Sequence, residues 1–141
     1  MLPYQRILAA IDLSQDSRLV AARALEIARA AGGSVQLLHV VQLVAMEPMG
    51  DMPLVEIDDQ MMARAREQML ALASELGLPE ASSYVEAGSA RNEILRYARE
   101  HKIELIVLGS RERHGLSLLL HRREGSLLQS APCDVLAVRM R

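Results

Sequence analysis

Four short apolar runs punctuate the chain: Arg6 to Asp12 (RILAAID), Ser34 to Val41 (SVQLLHVV), Glu104 to Gly109 (ELIVLG) and Asp134 to Arg139 (DVLAVR). Each has strand length, is rich in Val, Ile and Leu, and lacks clean in-out alternation, the pattern of strands covered on both faces. A fifth run, Ser82 to Ala87 (SSYVEA), is more polar and carries a weaker strand signal. Between the runs the period becomes helical. From Ser17 the spacing places Leu19, Val20, Ala24 and Ile27 on one stripe and closes on Gly32 and Gly33, a helix stop. From Ile57, Met62, Ala65, Met69, Leu72 and Leu76 recur at three- and four-residue steps, with acidic residues in the first turn and Gly77 at the end. A third helix is predicted through Ile94, Leu95 and Ala98, with Ser89 as its N-cap.

The alternation β-α-β-α-β-α-β-α-β predicts an α/β fold: a five-stranded parallel sheet with right-handed crossovers and helices on both faces. In an open sheet of this kind ligands settle beyond the carboxyl ends of the strands, where the winding reverses. That edge comprises Asp12 to Ser14, His39 to Val41, Gly88, and Gly109 onward. One connection is long: Gln42 to Glu56 reads as a loop holding Met46, Met49 and Met52. Such a loop is either a lid or contact surface, or a cover for the top of the core.

At 141 residues the chain holds one compact domain, residues 1–141. A net charge of -2 is not that of a dedicated nucleic-acid binder. With no Phe or Trp, and Tyr4, Tyr84 and Tyr97 as the only aromatics, little material exists for stacking bases, and an aliphatic core follows. A single cysteine, Cys133, excludes an internal disulfide and a Cys-rich metal site, and it reads as buried rather than reactive. The charges at Arg6 and Asp12 break up the N-terminus, and no apolar run approaches the ~20 residues of a membrane span. A cytoplasmic protein with neither a membrane nor a nucleic-acid partner is expected.

Asp12 ends the first run. A carboxylate at the top of a central strand can accept from a ribose or help hold a metal. It can equally cap the following helix, a task also open to Ser14 and Asp16, and the sequence leaves both roles open. The stretch from Leu108 to Ser126 (LGSRERHGLSLLLHRREGS) poses a sharper question, because a phosphate loop needs bare backbone N–H groups converging on an anion. Gly109 and Ser110 can begin such a turn, yet Arg111, Glu112 and Arg113 follow, and a carboxylate beside phosphate is repulsive. Arg111, Arg113, Arg122 and Arg123, with His114 and His121, form either a side-chain phosphate clamp or a solvated face with Glu112 and Glu124 as counter-charges. His39 is expected at a strand end and His101 at a helix C-terminus, neither with metal-ligand spacing. No G-x-S-x-G elbow, H-E-x-x-H or paired Cys-His signature is present, so no catalytic residue is assigned.

Taken together, RILAAIDLSQDS, VQLLHV, IELIVLGSRERHGLS and SAPCDVLAV resemble the universal stress proteins, essentially end to end. The resemblance implies a Rossmann-like sheet of the adenine nucleotide α-hydrolase type with strand order 3-2-1-4-5. It also implies a homodimer formed through the last strand, Asp134 to Met140, and an apolar edge strand invites such pairing.

The family's ATP-binding members carry a glycine, two residues, a second glycine, nine residues, then Gly-Ser or Gly-Thr. Counted from Gly109, the second glycine falls on Glu112 and the closing pair on Arg122 and Arg123, or on His121 and Arg122 in a loop one residue shorter. The alternative frame keeps Gly115, Gly125 and Ser126 but sets Glu112 at its first glycine and brings Gly125-Ser126 close to SAPCDVL. The motif is degraded, as in the branch similar to universal stress protein A. What the resemblance preserves is Asp12 and the backbone at Val40 and Val41, where ATP-binding relatives hold ribose and adenine. The expectation is a stress-response binding or regulatory module without efficient turnover and with no required cofactor. The competing expectation is an ATP switch built on Asp12, Val41, Gly109, Ser110, Gly115, Gly125 and Ser126, with the arginines helping.

Overall fold

The computed structural model describes residues 3–42, 54–110 and 127–139. Their five strands are β1 (Arg6–Ala10), β2 (Ser34–Gln42), β3 (Ser83–Gly88), β4 (Leu105–Ser110) and β5 (Asp134–Arg139). They form one sheet in the order β3-β2-β1-β4-β5, parallel at every pairing. The helices are α1 (Ser17–Ala31), α2 (Leu54–Glu75), α3 (Ala90–Glu100) and the short α4 (Leu127–Ser130). This is the doubly wound arrangement, and the winding reverses between β1 and β4.

The absence of in-out alternation has a direct cause. Ile7, Ala9 and Ile11 enter one core with α1 and α2, whereas Leu8 and Ala10 enter a second core with α3 and Leu127 of α4. Both faces of β1 and β4 are therefore dry, and Ile7, Leu8, Ile106 and Leu108 are completely buried. Tyr97 is the one aromatic ring fully inside; it stacks on His101 with ring centroids 4.0 Å apart, and burial pushes its phenol up. His101 caps the C-terminus of α3, while Ser89 Oγ accepts from Asn92 N at its N-terminus. Across the other end of the sheet, Tyr4 donates its hydroxyl to Asp134 Oδ2 at 2.7 Å and ties the N-terminal segment to the start of β5.

Two helices depart from the pattern. The periodicity puts Leu19 on the inner stripe of α1, but Leu19 is 47% exposed and the helix lies on the sheet through Ala21, Ala24, Ala28 and Ala31, beside Val20. Small side chains let the helix axis approach the strands closely, which turns the contact face away from Leu19; Ile27 packs only against the margin of that core. On α2, Ala65, Met69 and Leu72 are buried as expected, joined by Ala73. This helix begins at Leu54 rather than Ile57, because Leu-Val-Glu extends the helical period directly behind Pro53, a residue tolerated at a helix start. The long connection is correspondingly shorter, since Gln42 closes β2, and Met46, Met49 and Met52 lie outside the described residues.

Cys133 is partly buried just before β5 rather than fully inside. Burial, and secondarily the Asp134 carboxylate, push its thiol up to about 11. Since the thiolate is the nucleophile, iodoacetamide at pH 8 is expected to label the native protein about a hundredfold more slowly than the urea-unfolded chain. The difference should close as the pH rises through that value. Equal labelling rates in the two states would contradict the assignment.

Candidate functional site

The carboxyl edge of the sheet is built around the end of β1. Ile11 N still donates to Leu38 O at 2.8 Å, after which the chain leaves the sheet. Asp12 follows, then Leu13 with φ 58, a left-handed conformation that costs a bulky residue roughly 1–2 kcal/mol. That turn is closed by the Asp12 carboxylate. Its Oδ1 accepts from Ser14 N at 3.0 Å and from Ser17 Oγ at 3.4 Å, and Ser17, at the first turn of α1, is buried. Asp12 thus stitches the strand to the helix through Ser14 N and the Ser17 side chain rather than capping it, the role weighed for it from the sequence. Asp16 occupies the N-cap position without a side-chain capping bond. Oδ2 of Asp12 accepts no hydrogen bond among the described residues, and Asp12 itself is exposed.

Two clefts open at this point, one on each face of the sheet. The larger, about 350 Å³, lies under α2 and is lined by Asp12, His39, Gln42, Met61, Arg64 and Gln68 among others. A smaller one, about 140 Å³, lies on the α3 side against Ile94 and shares Asp12, His39, Val40 and Gln42. The tops of β1 and β2 are the wall between them.

Val40 and Val41 belong to β2 itself, which continues to Gln42, and pair in register with Glu86 and Ala87 of β3. Their side chains are buried, leaving the backbone above the end of β1 as the part a ligand would meet. Gly109 and Ser110 belong to β4, paired with Val138 and Arg139, with Ser110 as the last residue of the strand. The extra ladder residues are supplied by β5, whose length matches β4 through Arg139. Asp12, Val40, Val41, Gly109 and Ser110 therefore gather along three adjacent strands at the reversal of winding. Arg111, Gly115, Arg122, Arg123, Gly125 and Ser126 lie outside the described residues, as do His114 and His121. β3 ends on Gly88, whose φ of 142 is a conformation that favours glycine.

His39 is the residue the sequence reading undervalued. It sits within β2, three residues from its end, with the ring partly buried and Nδ1 2.7 Å from Ile11 O. The signal was present in the run SVQLLHVV: a polar side chain inside a strand covered on both faces requires a partner. Arg91 reaches from the start of α3 to Ser130 Oγ at 2.8 Å, tying the same edge to α4. Among the described residues no three His, Cys, Asp or Glu side chains group as a metal site, and no helix is long and apolar enough to cross a membrane.

The model of the universal stress protein family matches residues 3–139. Universal stress protein A homolog 1 of Coxiella burnetii is 32% identical, with 98% of each chain covered. Among solved structures, universal stress protein UspA from Lactobacillus plantarum superposes with a TM-score of 0.77 at 25% identity, covering 99% of this chain and 100% of its own. A universal stress protein in complex with cAMP superposes with a TM-score of 0.62 at 18% identity, covering 97% and 98%, a likeness of fold.

Proposed function

The chain belongs to the universal stress protein family, and on that premise we propose that it is a cytoplasmic, homodimeric binding and regulatory module without efficient enzymatic turnover. Its cleft takes a nucleoside-sized ligand by the neutral part, and a triphosphate adds little to the grip. The observation that carries this reading is the commitment of Asp12 Oδ1 to Ser14 N and Ser17 Oγ, which makes the carboxylate a structural stitch first. The sequence adds Glu112 where the phosphate motif of the ATP-binding relatives has a glycine, an acidic residue in place of a bare one. A cleft of about 350 Å³ remains, within the range of small-molecule sites. Half-buried β5 at the sheet edge, with Val135 and Leu136 partly exposed, supports association through that strand.

Calorimetry with magnesium-ATP and with adenosine tests the reading. Both are expected to bind at roughly millimolar affinity or weaker, ATP within about threefold of adenosine, corresponding to less than ~1 kcal/mol from the phosphates. Sub-millimolar ATP binding that weakens on Arg122→Ala or Arg123→Ala would replace it with the nucleotide-switch reading. That second reading is favoured by Oδ2 of Asp12, which accepts no hydrogen bond among the described residues and lies beside both clefts, and by the relative solved with cAMP. Sedimentation equilibrium at micromolar concentration is expected to give a dimer; monomer alone would remove the assembly from the proposal.

A further inference from the structure

Parallel strands alternate their side chains between faces, and on β2 Val35 and Leu37 enter the core beneath α1 and α2 while Leu38 and Val40 enter the opposite one. His39 therefore projects toward α2, into the larger cleft. Its Nδ1 lies 2.7 Å from the Ile11 carbonyl. A carbonyl oxygen only accepts, so Nδ1 carries the hydrogen, and in a neutral imidazole the other nitrogen must then carry the lone pair. The tautomer is fixed by the end of β1.

The one polar atom of the ring left for the cleft is Nε2, an acceptor with no hydrogen-bond partner among the described residues. Around it the cleft offers Leu13, Met61 and Ala65 as apolar wall, the backbone of Val40 and Val41, Asp12 as a second acceptor, and Arg64 and the amides of Gln42 and Gln68. We infer that His39 is a specificity-determining residue of this cleft, accepting a hydrogen bond at Nε2 from an N–H or O–H donor of a nucleoside-like ligand. An anionic oxygen placed there would meet a lone pair and be disfavoured. The inference rests on the reading that the cleft holds a small ligand by its neutral part.

The side-chain amide N–H of asparagine occupies nearly the position of imidazole Nδ1–H, so His39→Asn keeps the bond to Ile11 and deletes the acceptor. The test compares this variant with the parent protein, using adenosine as the probe, by thermal unfolding and by NMR titration of backbone amides and histidine ring nitrogens. The variant is expected to unfold near the parental temperature and to bind adenosine about five- to tenfold more weakly, the fold-change of one neutral hydrogen bond. In the parent protein, adenosine should shift the His39 Nε2 resonance together with the Gln42 and Ala65 amides. Unchanged adenosine affinity in a stable His39→Asn protein would overturn the inference and leave the histidine a peg for Ile11. Shifted Gln42 and Ala65 amides with an unmoved Nε2 would also overturn it while the cleft reading stands. No shift anywhere at millimolar adenosine would remove both. Should the variant fail to fold, the ring titration of the parent protein decides alone.

Discussion

Leu8→Ala is expected to lower folding stability by about 3–4 kcal/mol, whereas Leu19→Ala should cost less than about 0.5 kcal/mol. Leu8 is completely buried in the central strand, packed in the core beneath α3 with Ile94, Leu95 and Ile106, and the strands on either side cannot collapse into the space it leaves. The penalty is lost transfer energy plus a cavity that stays open. Leu19 occupies a helix position equally apolar in sequence and is 47% exposed. Urea titrations of the two variants, read by circular dichroism, measure the contrast. Comparable losses for both would mean that α1 seats on the sheet through Leu19 after all.

The adjoining glycines at the end of α1 should separate as sharply. Gly33→Ala is expected to cost about 3 kcal/mol, because its Cβ would stand 2.4 Å from Tyr4 O, 2.8 Å from Gln5 O and 2.9 Å from Gln5 Cα. Those are backbone atoms of the segment leading into β1, held in place by Ser34 N donating to Gln5 O at 2.9 Å, so they cannot step aside as a side-chain tip would. Gly32 has open space around it and φ 71, and Gly32→Ala should cost only about 1 kcal/mol of left-handed strain. Thermal and urea unfolding of both variants check the order. A Gly33→Ala protein as stable as Gly32→Ala would show that the β1 approach has slack.

The pattern of residues revealed most of this architecture, and the exceptions have physical causes. Strands covered on both faces announce themselves as unbroken Val, Ile and Leu runs, which made β1, β2 and β4 plain, whereas edge strand β3 is more polar and gave the weaker signal; all five bounds fall within two residues at each end. Strand order is a matter of long-range pairing, which periodicity does not encode; it came from the family resemblance, and the parallel registers agree with it. Leu19 misled because hydrophobicity ranks leucine above alanine, while helix-on-sheet packing at close range selects the smaller side chain. At the site, Asp12 was found by its place at the top of β1, but its two roles could be weighed only when Ser14 N and Ser17 Oγ were seen on Oδ1. The run shows that His39 needs a partner, but the partner itself takes the geometry, since it is the Ile11 carbonyl just past the end of β1.

The alanine seam of α1 reaches beyond stability. Ser17, one turn before Ala21 on the same helix, holds the carboxylate at the mouth of both clefts. The seating of α1 through that seam therefore fixes where Ser17 Oγ meets the Asp12 carboxylate. Drift in the foundation of the helix and change in what the cleft recognises are, in this molecule, geometrically one event.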